Sequence, residues 1–210
     1  MGFAQWWDKH GVPRMIELCC GMPAIEKLRA QVVPLAQGKV FEIGCGGGLN
    51  QPFYRKEAVT SFSGIDPSEK LLESARLRAE GNGWQNDIKE GIGEEIPFAS
   101  SSFDSVVCTY TLCSVQDHAQ VISELKRILK PEGKLIFLEH GRSPDANVAK
   151  WQDRVEPLWK PMTGGCHLTR AVGASLRAGR FEVEPLGQKY IRRTPKSVGW
   201  MEWGVAHRRH

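Results

Sequence analysis

A short apolar strand, Val40-Phe41-Glu42-Ile43, runs directly into a glycine-rich turn, Gly44-Cys45-Gly46-Gly47-Gly48-Leu49-Asn50, and an aspartate, Asp66, follows 22 positions after the first glycine. Glycine lets a backbone turn sharply and lie closer to a ligand than a Cβ would allow. A carboxylate about 20 residues further on, at the end of the next strand, is placed to grip the hydroxyls of a ribose. Pro67 then opens a helix in which Leu71, Leu72, Ala75 and Ala79 share a face, with Gly81 as its stop. Residues 103–110 read as a second buried strand. Asp117 with Gln120 resembles a capping box, and Val121, Ile122, Leu125, Ile128 and Leu129 recur at helical spacing. Pro131-Glu132-Gly133 ends that helix, and residues 134–139 form a third strand. Strands alternating with helices imply an α/β fold, a doubly wound, Rossmann-like and mostly parallel sheet whose ligands lie at the carboxyl ends of its strands. A helix over 169–178 and strands over 181–184 and 198–206 follow, the strands forming an antiparallel hairpin at the sheet edge.

Three ligand classes use such a loop. A dinucleotide fingerprint starting at Gly44 needs glycine at position 49, which is Leu49, and no G-K dipeptide followed by Ser or Thr supplies the lysine and hydroxyl of a phosphate loop. The remaining pattern, E-x-G-x-G-x-G, sets Glu42 two residues before the first glycine. That carboxylate suits a ligand bearing an ammonium group, as S-adenosylmethionine (AdoMet) does.

A chain of 210 residues suits one domain with a substantial core. It divides into an N-terminal helical cap over 1–35, a cofactor-binding core over 36–140, and acceptor-side helices with the edge hairpin over 141–210. The net charge of +4 is modest, with Arg192, Arg193, Arg208 and Arg209 near the end, and no nucleic-acid partner is expected. The six cysteines, Cys19, Cys20, Cys45, Cys108, Cys113 and Cys166, form no C-x-x-C pair and show no zinc-ligand spacing, so no metal is expected and a reducing cytoplasm is the simplest location. No apolar run approaches a membrane span.

With the glycine loop, Ile65-Asp66-Pro67, Ile96-Pro97-Phe98, the segment from Ser102-Phe103-Asp104 to Val107, and Leu129-Lys130-Pro131-Glu132-Gly133 all in order, the chain resembles class I AdoMet-dependent methyltransferases over about residues 36–140. Gly48-Leu49-Asn50-Gln51-Pro52, Thr111-Leu112-Cys113-Ser114-Val115, Leu138-Glu139-His140 and Gly164-Gly165-Cys166-His167 narrow the likeness to bacterial relatives of the animal alkyl thiol S-methyltransferases. The resemblance implies a seven-stranded sheet, AdoMet as cofactor and S-adenosylhomocysteine as product. Gly44, Cys45, Gly46, Gly48 and Asn50 would flank the methionine portion, Asp66 and Pro67 the ribose, and Ile92, Gly93 and Glu94 the adenine. Ile92 stands where many family members carry an aspartate, so the adenine amino group would meet main chain or Glu94. Main-chain oxygens at Thr109 and Tyr110 would meet the amino group of the cofactor.

Methyl transfer from a sulfonium is an in-line displacement, and the protein's tasks are alignment and exclusion of water. A thiol, with an ordinary pKa near 8.5, needs little help to ionise, whereas an alkylammonium near 10.4 needs much more. A small thiol acceptor is therefore the leading expectation, with His140 as first and His167 as second candidate for a catalytic base. Leu112 and Cys113 would border the acceptor, and Trp151, Trp159 and Trp200 would wall it. Trp6 and Trp7, with Met15, Ile16 and Leu18, offer an alternative contact with a membrane surface, peripheral and without stable insertion. Methylation of a lipid amine or a quinone is the runner-up. Arsenite, held by Cys19 or Cys20 with Cys113 and Cys166, and a non-catalytic AdoMet-binding role are weaker alternatives. The acceptor is a small molecule in the main reading, and the chain a monomer or homodimer.

Overall fold

The computed structural model describes residues 11, 12, 15 and 20–209, so the expectations resting on Trp6, Trp7, Ile16, Leu18 and Cys19 lie outside the described residues. The elements run α1 (Pro23–Val32), β1 (Gly38–Ile43), β2 (Val59–Asp66), α2 (Glu69–Gly81), β3 (Asn86–Glu90), β4 (Phe103–Thr109), α3 (His118–Ile128), β5 (Leu129–His140), α4 (Ala146–Met162), α5 (Val172–Ala178), β6 (Phe181–Tyr190), α6 (Lys196–Gly199) and β7 (Trp200–Arg208). They build a seven-stranded sheet of order β3-β2-β1-β4-β5-β7-β6. The first five strands in this order are parallel, and β7 runs antiparallel between β5 and β6. The expected doubly wound sheet with its antiparallel edge pair is what forms.

Burial on both faces explains the unbroken apolar runs. Along β1, Val40 enters the core packed with Leu28, Val32, Phe62 and Leu72. Phe41 and Ile43 point the other way, into the core of Ile65, Leu125, Ile128 and Phe137. The period-two alternation of a strand thus splits one apolar tetrapeptide between two helix layers. α1 and α2 cover the first face, and α3 and α5 the second. The strand order reverses between β1 and β4, which opens a crevice between the glycine loop and the residues after Thr109.

Several elements differ from the sequence reading: β3 was not foreseen, and β6 continues to Tyr190 where a strand over 181–184 was expected. β5 starts at Leu129, not at residue 134, because its first residues pair with β4 across a register shift between Phe103 and Ser105. α4 was not foreseen: Pro157 and Pro161 break the helical pattern, and only Ala149 and Gln152 on it are buried. The capping box at α3 is half right. Asp117 accepts from Gln120 N at 2.9 Å, but the Gln120 side chain donates to the Glu94 carbonyl, and Glu94 Oε1 takes the N–H groups of Gln116 and Asp117 at 2.8 and 3.0 Å. Among the described residues, no helix is long and apolar enough to cross a membrane.

Leu125 is fully buried between α3 and the sheet. Leu125→Ala should lower the free energy of unfolding by about 2–5 kcal/mol, read from urea denaturation. A loss under about 1 kcal/mol would mean that this layer is not close-packed.

Candidate active site

The glycine loop is built for a visitor on one side only. Gly44, Gly46 and Gly48 all have positive φ, at 62°, 49° and 82°. A Cβ on Gly44 would collide with the Thr111 side chain, and one on Gly48 would lie 2.9 Å from Gln51 Nε2. A Cβ on Gly46 would meet nothing nearer than Asp66 Oδ2 at 3.9 Å, so this is the open side. The Asp66 carboxylate holds the loop there. Oδ2 accepts from Gly46 N at 3.0 Å and Oδ1 from Ser68 N at 2.9 Å. Burial raises its pKa and these two N–H donors work against that shift. Each oxygen keeps a lone pair for a diol, while Pro67 beside it is exposed. Cys45 is buried behind the loop, its N–H on the Ile65 carbonyl at 3.0 Å and its sulfur packed near Gly64.

Under the loop lies a buried polar network. Asn50 donates to Glu42 Oε1 at 2.9 Å and to Thr109 Oγ1 at 3.0 Å, and the Tyr54 hydroxyl donates to Glu42 Oε2 at 2.8 Å. Arg29, from α1, donates to Asn50 Oδ1 and to Thr109 Oγ1. The sequence reading had Glu42 facing the ligand's ammonium group; it is 2% exposed, and each of its oxygens accepts a hydrogen bond from within the network, where it fixes Asn50 beneath the loop. Burial pushes the Glu42 pKa up to about 7, against the hydrogen bond from Tyr54 and the charge of Arg29. Arg29 was missed, although a cation in the apolar stripe Ile25, Leu28, Val32 was a readable signal. Its Nε is buried without a hydrogen-bond partner among the described residues. A carboxylate on a bound ligand would satisfy it, so Arg29 and the open face of Gly46 both fit the methionine end of AdoMet.

Of the residues expected to take the adenine, Ile92 is 53% exposed. A Cβ on Gly93 would be 2.7 Å from Ile43 Cδ1, so glycine is what lets this segment lie on β1. Glu94, offered as a partner for the adenine, also holds the start of α3, its Oε1 accepting from two backbone N–H groups. Tyr110 has φ 56°, a left-handed conformation that a non-glycine residue adopts only where its surroundings impose it. Its ring lies 5.5 Å under the Arg29 guanidinium, and its hydroxyl is 3.5 Å from Met201 Sδ.

Glu139, at the end of β5, organises the loop after β4. Its Oε1 accepts from Thr111 N at 2.8 Å and Leu112 N at 3.1 Å, and its Oε2 from Cys113 N at 3.3 Å. The loop therefore presents the Cys113 sulfur to His140 and Cys166. His140 Nε2 is 2.5 Å from Cys166 Sγ, which is 3.7 Å from Cys113 Sγ. The hydrogen bond between Cys166 and Cys113 favours the Cys166 thiolate; burial opposes, the His140 charge assists, and the pKa falls. Burial disfavours a charged His140, but the Cys166 sulfur outweighs it and the pKa of His140 rises. The Trp159 indole N–H, buried and without a hydrogen-bond partner among the described residues, stands close enough to Cys166 to favour the thiolate as well.

The other expected acceptor residues scatter. Leu112 is fully buried in the core beneath the loop and does not line the cleft. His167 is turned to α4, with Nδ1 2.9 Å from Glu156 Oε1, while Glu156 Oε2 accepts from Thr169 N at 2.7 Å. Trp151 is 60% exposed on α4 with the Arg154 guanidinium 5.9 Å above its ring, so it is not a wall of a buried pocket. Trp200 is buried at the start of β7, edge-on to Tyr190 at 5.0 Å, next to the Met201 that pairs with His140.

Glu42 makes a testable contribution to stability. Folding raises its pKa from 4.5 to about 7, so the folded state binds the proton more tightly. The stabilisation is complete below about pH 4.5 and is lost as pH rises to about 7, a change on the order of 3 kcal/mol. Unfolding measured in urea from about pH 5 to pH 8 should show the ligand-free protein losing most of this relative to Glu42→Gln. A pH-independent difference would place the Glu42 proton elsewhere.

The methyltransferase domain family matches residues 41–137. Thiol S-methyltransferase TMT1B of Rattus norvegicus is 37% identical over 145 residues, 68% of this chain, and the chain spans only 59% of the rat protein's length. Thiol S-methyltransferase TMT1B of Homo sapiens is 36% identical over 177 residues, covering 80% of this chain and 69% of the human protein. The crystal structure of the YcgJ protein of Bacillus subtilis superposes with a TM-score of 0.70 at 16% identity, over 89% of this chain and 98% of that one, a likeness of fold alone. The glycine loop, the Asp66 anchor and these matches together establish that the chain belongs to the class I AdoMet-dependent methyltransferases, related to the thiol S-methyltransferases, with S-adenosylmethionine as its cofactor.

Proposed function

We propose that the chain transfers the methyl group of AdoMet to a small thiol, releasing a thioether and S-adenosylhomocysteine. AdoMet supplies an electrophilic methyl on a sulfonium. Asp66 would hold its ribose, the loop from Gly44 to Gly48 would pass under its methionine portion, and Arg29 would meet its carboxylate. The observation carrying the thiol reading is the contact of His140 Nε2 with the Cys166 sulfur at 2.5 Å. The imidazole at the strand crest is set against sulfur and not against a carboxylate, so it lacks the orienting partner that strengthens a general base. Amines and hydroxyls need such a base, while a thiol with a pKa of about 8.5 needs only modest help to ionise. The names of the rat and human relatives support the same reading.

One observation favours a second reading. Glu156 and His167 form a carboxylate–imidazole pair with part of its surface exposed. If His167 serves as base, the acceptor is a hydroxyl or an amine on an apolar molecule.

Purified protein with labelled AdoMet should methylate small thiols in preference to amines, phenols and phospholipids. His167→Asn should change the thiol rate by less than about threefold, a loss under 1 kcal/mol. Turnover confined to phenols or amines and abolished by His167→Asn would establish the second reading. Stoichiometric AdoMet binding without turnover on any panel would leave a binding protein. Asp66→Ala should weaken AdoMet binding about tenfold or more by calorimetry, the cost of about 1.4 kcal/mol of lost contacts. Unchanged affinity would remove the ribose assignment.

A further inference from the structure

We propose that Cys113, His140 and Cys166 form a binding site for a thiophilic divalent cation of the zinc class, with one coordination position left for an exogenous ligand. These residues come from three separate segments, the loop after β4, the end of β5 and the loop between α4 and α5. Their ligand atoms all lie within 4.8 Å of one another. In a tetrahedral site with metal–sulfur bonds of about 2.3 Å, two thiolates stand about 3.7–3.8 Å apart. Cys113 Sγ and Cys166 Sγ are already 3.7 Å apart. The contact of His140 Nε2 with Cys166 Sγ, now 2.5 Å, would open by about 1 Å as a cation replaces the proton between them.

Each ligand is fixed by its own support. Cys113 is held at both ends of its backbone, its N–H by Glu139 Oε2 at 3.3 Å and its carbonyl by His167 N at 2.7 Å. His140 is locked into the antiparallel register opposite Met201. Cys166 follows Gly165, whose N–H is tied to the Lys160 carbonyl at 3.0 Å. Donors also surround the sulfurs: Ser114 Oγ lies 3.4 Å from Cys113 Sγ, and the Trp159 indole N–H stands near Cys166. Such outer donors orient and stabilise metal thiolates. Two thiolates and a neutral imidazole balance a dication, so the buried cluster becomes electrically neutral when occupied.

A two-cysteine, one-histidine set fills three positions and leaves the fourth, the arrangement of catalytic and not of structural zinc. The nearest buried carboxylate does not close it, because Glu139 is already committed to the N–H groups of Thr111, Leu112 and Cys113 and to the Cys108 thiol. A thiolate is the ligand that such a position takes most readily. That last point rests on the thiol reading above; the cation site does not.

Cobalt(II) reports this ligand set without any turnover. Titrating the reduced 210-residue chain should give one equivalent bound, with a thiolate-to-cobalt charge-transfer band and the intense visible bands of a tetrahedral centre, and zinc should displace it. Cys113→Ala, Cys166→Ala and His140→Ala should each weaken cobalt binding about tenfold or more, whereas Cys20→Ser should leave it unchanged. AdoMet calorimetry on the same variants checks that they fold. A folded variant lacking either cysteine that binds cobalt as tightly as the parent overturns the site, as does a wild-type spectrum without thiolate charge transfer, or retention of arsenite with no retention of cobalt or zinc. Should the variants not fold, the wild-type spectrum decides. Cobalt binding without thiol turnover would remove the thiol reading and keep the site; thiol turnover by a metal-stripped chain that gives no cobalt spectrum would do the reverse.

Discussion

Backbone N–H groups that leave a sheet at its carboxyl edge have no neighbour to pair with, and leaving one buried and unsatisfied costs about 1–3 kcal/mol. This protein meets that constraint with carboxylates supplied by neighbouring segments. Asp66, ending β2, takes the N–H of Gly46 in the loop after β1. Glu139, ending β5, takes those of Thr111, Leu112 and Cys113 in the loop after β4. Glu94 takes two more at the start of α3. Each crest loop is thus tied across the sheet to another part of the chain.

The same device sets the chemistry. Because Glu139 and Glu94 are occupied with backbone, few acidic groups remain free to act as strong bases at the crest, and the groups gathered there are sulfur and imidazole. Glu42 illustrates the point from below. Its carboxylate is consumed by Asn50 and Tyr54, and what the loop presents upward is backbone with the open face of Gly46. The cationic group nearest this network, Arg29, comes from α1, outside the sheet.

How much could be read beforehand depended on the distance over which each signal acts. The β1 loop, Asp66 and the register of α2 and α3 are local patterns, set by φ preferences, strand period and helix period, and they appear in place. β3 and α4 escaped notice because their local patterns are weak: β3 buries only Ile88, and α4 carries two internal prolines. The hydrogen bonds that Glu42 and Glu94 make within the fold were not legible, because a sequence shows a carboxylate but not the donors that reach it. Trp151 looked like a pocket wall by type alone, and its position on the outer side of α4 removed it.

The sequence by itself determined the sheet, its glycine loop and the class of cofactor, since these follow from short-range sterics and from a carboxylate at a fixed remove from a turn. Only the tertiary structure decided which side chains meet around the ends of β4 and β5. Arg29 meets Thr109 across 80 residues, Cys166 meets Cys113 across 53, and His140 meets Cys166 across 26. No periodicity or spacing encodes such meetings, because they are created by the packing of α1 on the sheet and by the folding of the loop after α4 onto the ends of β4 and β5.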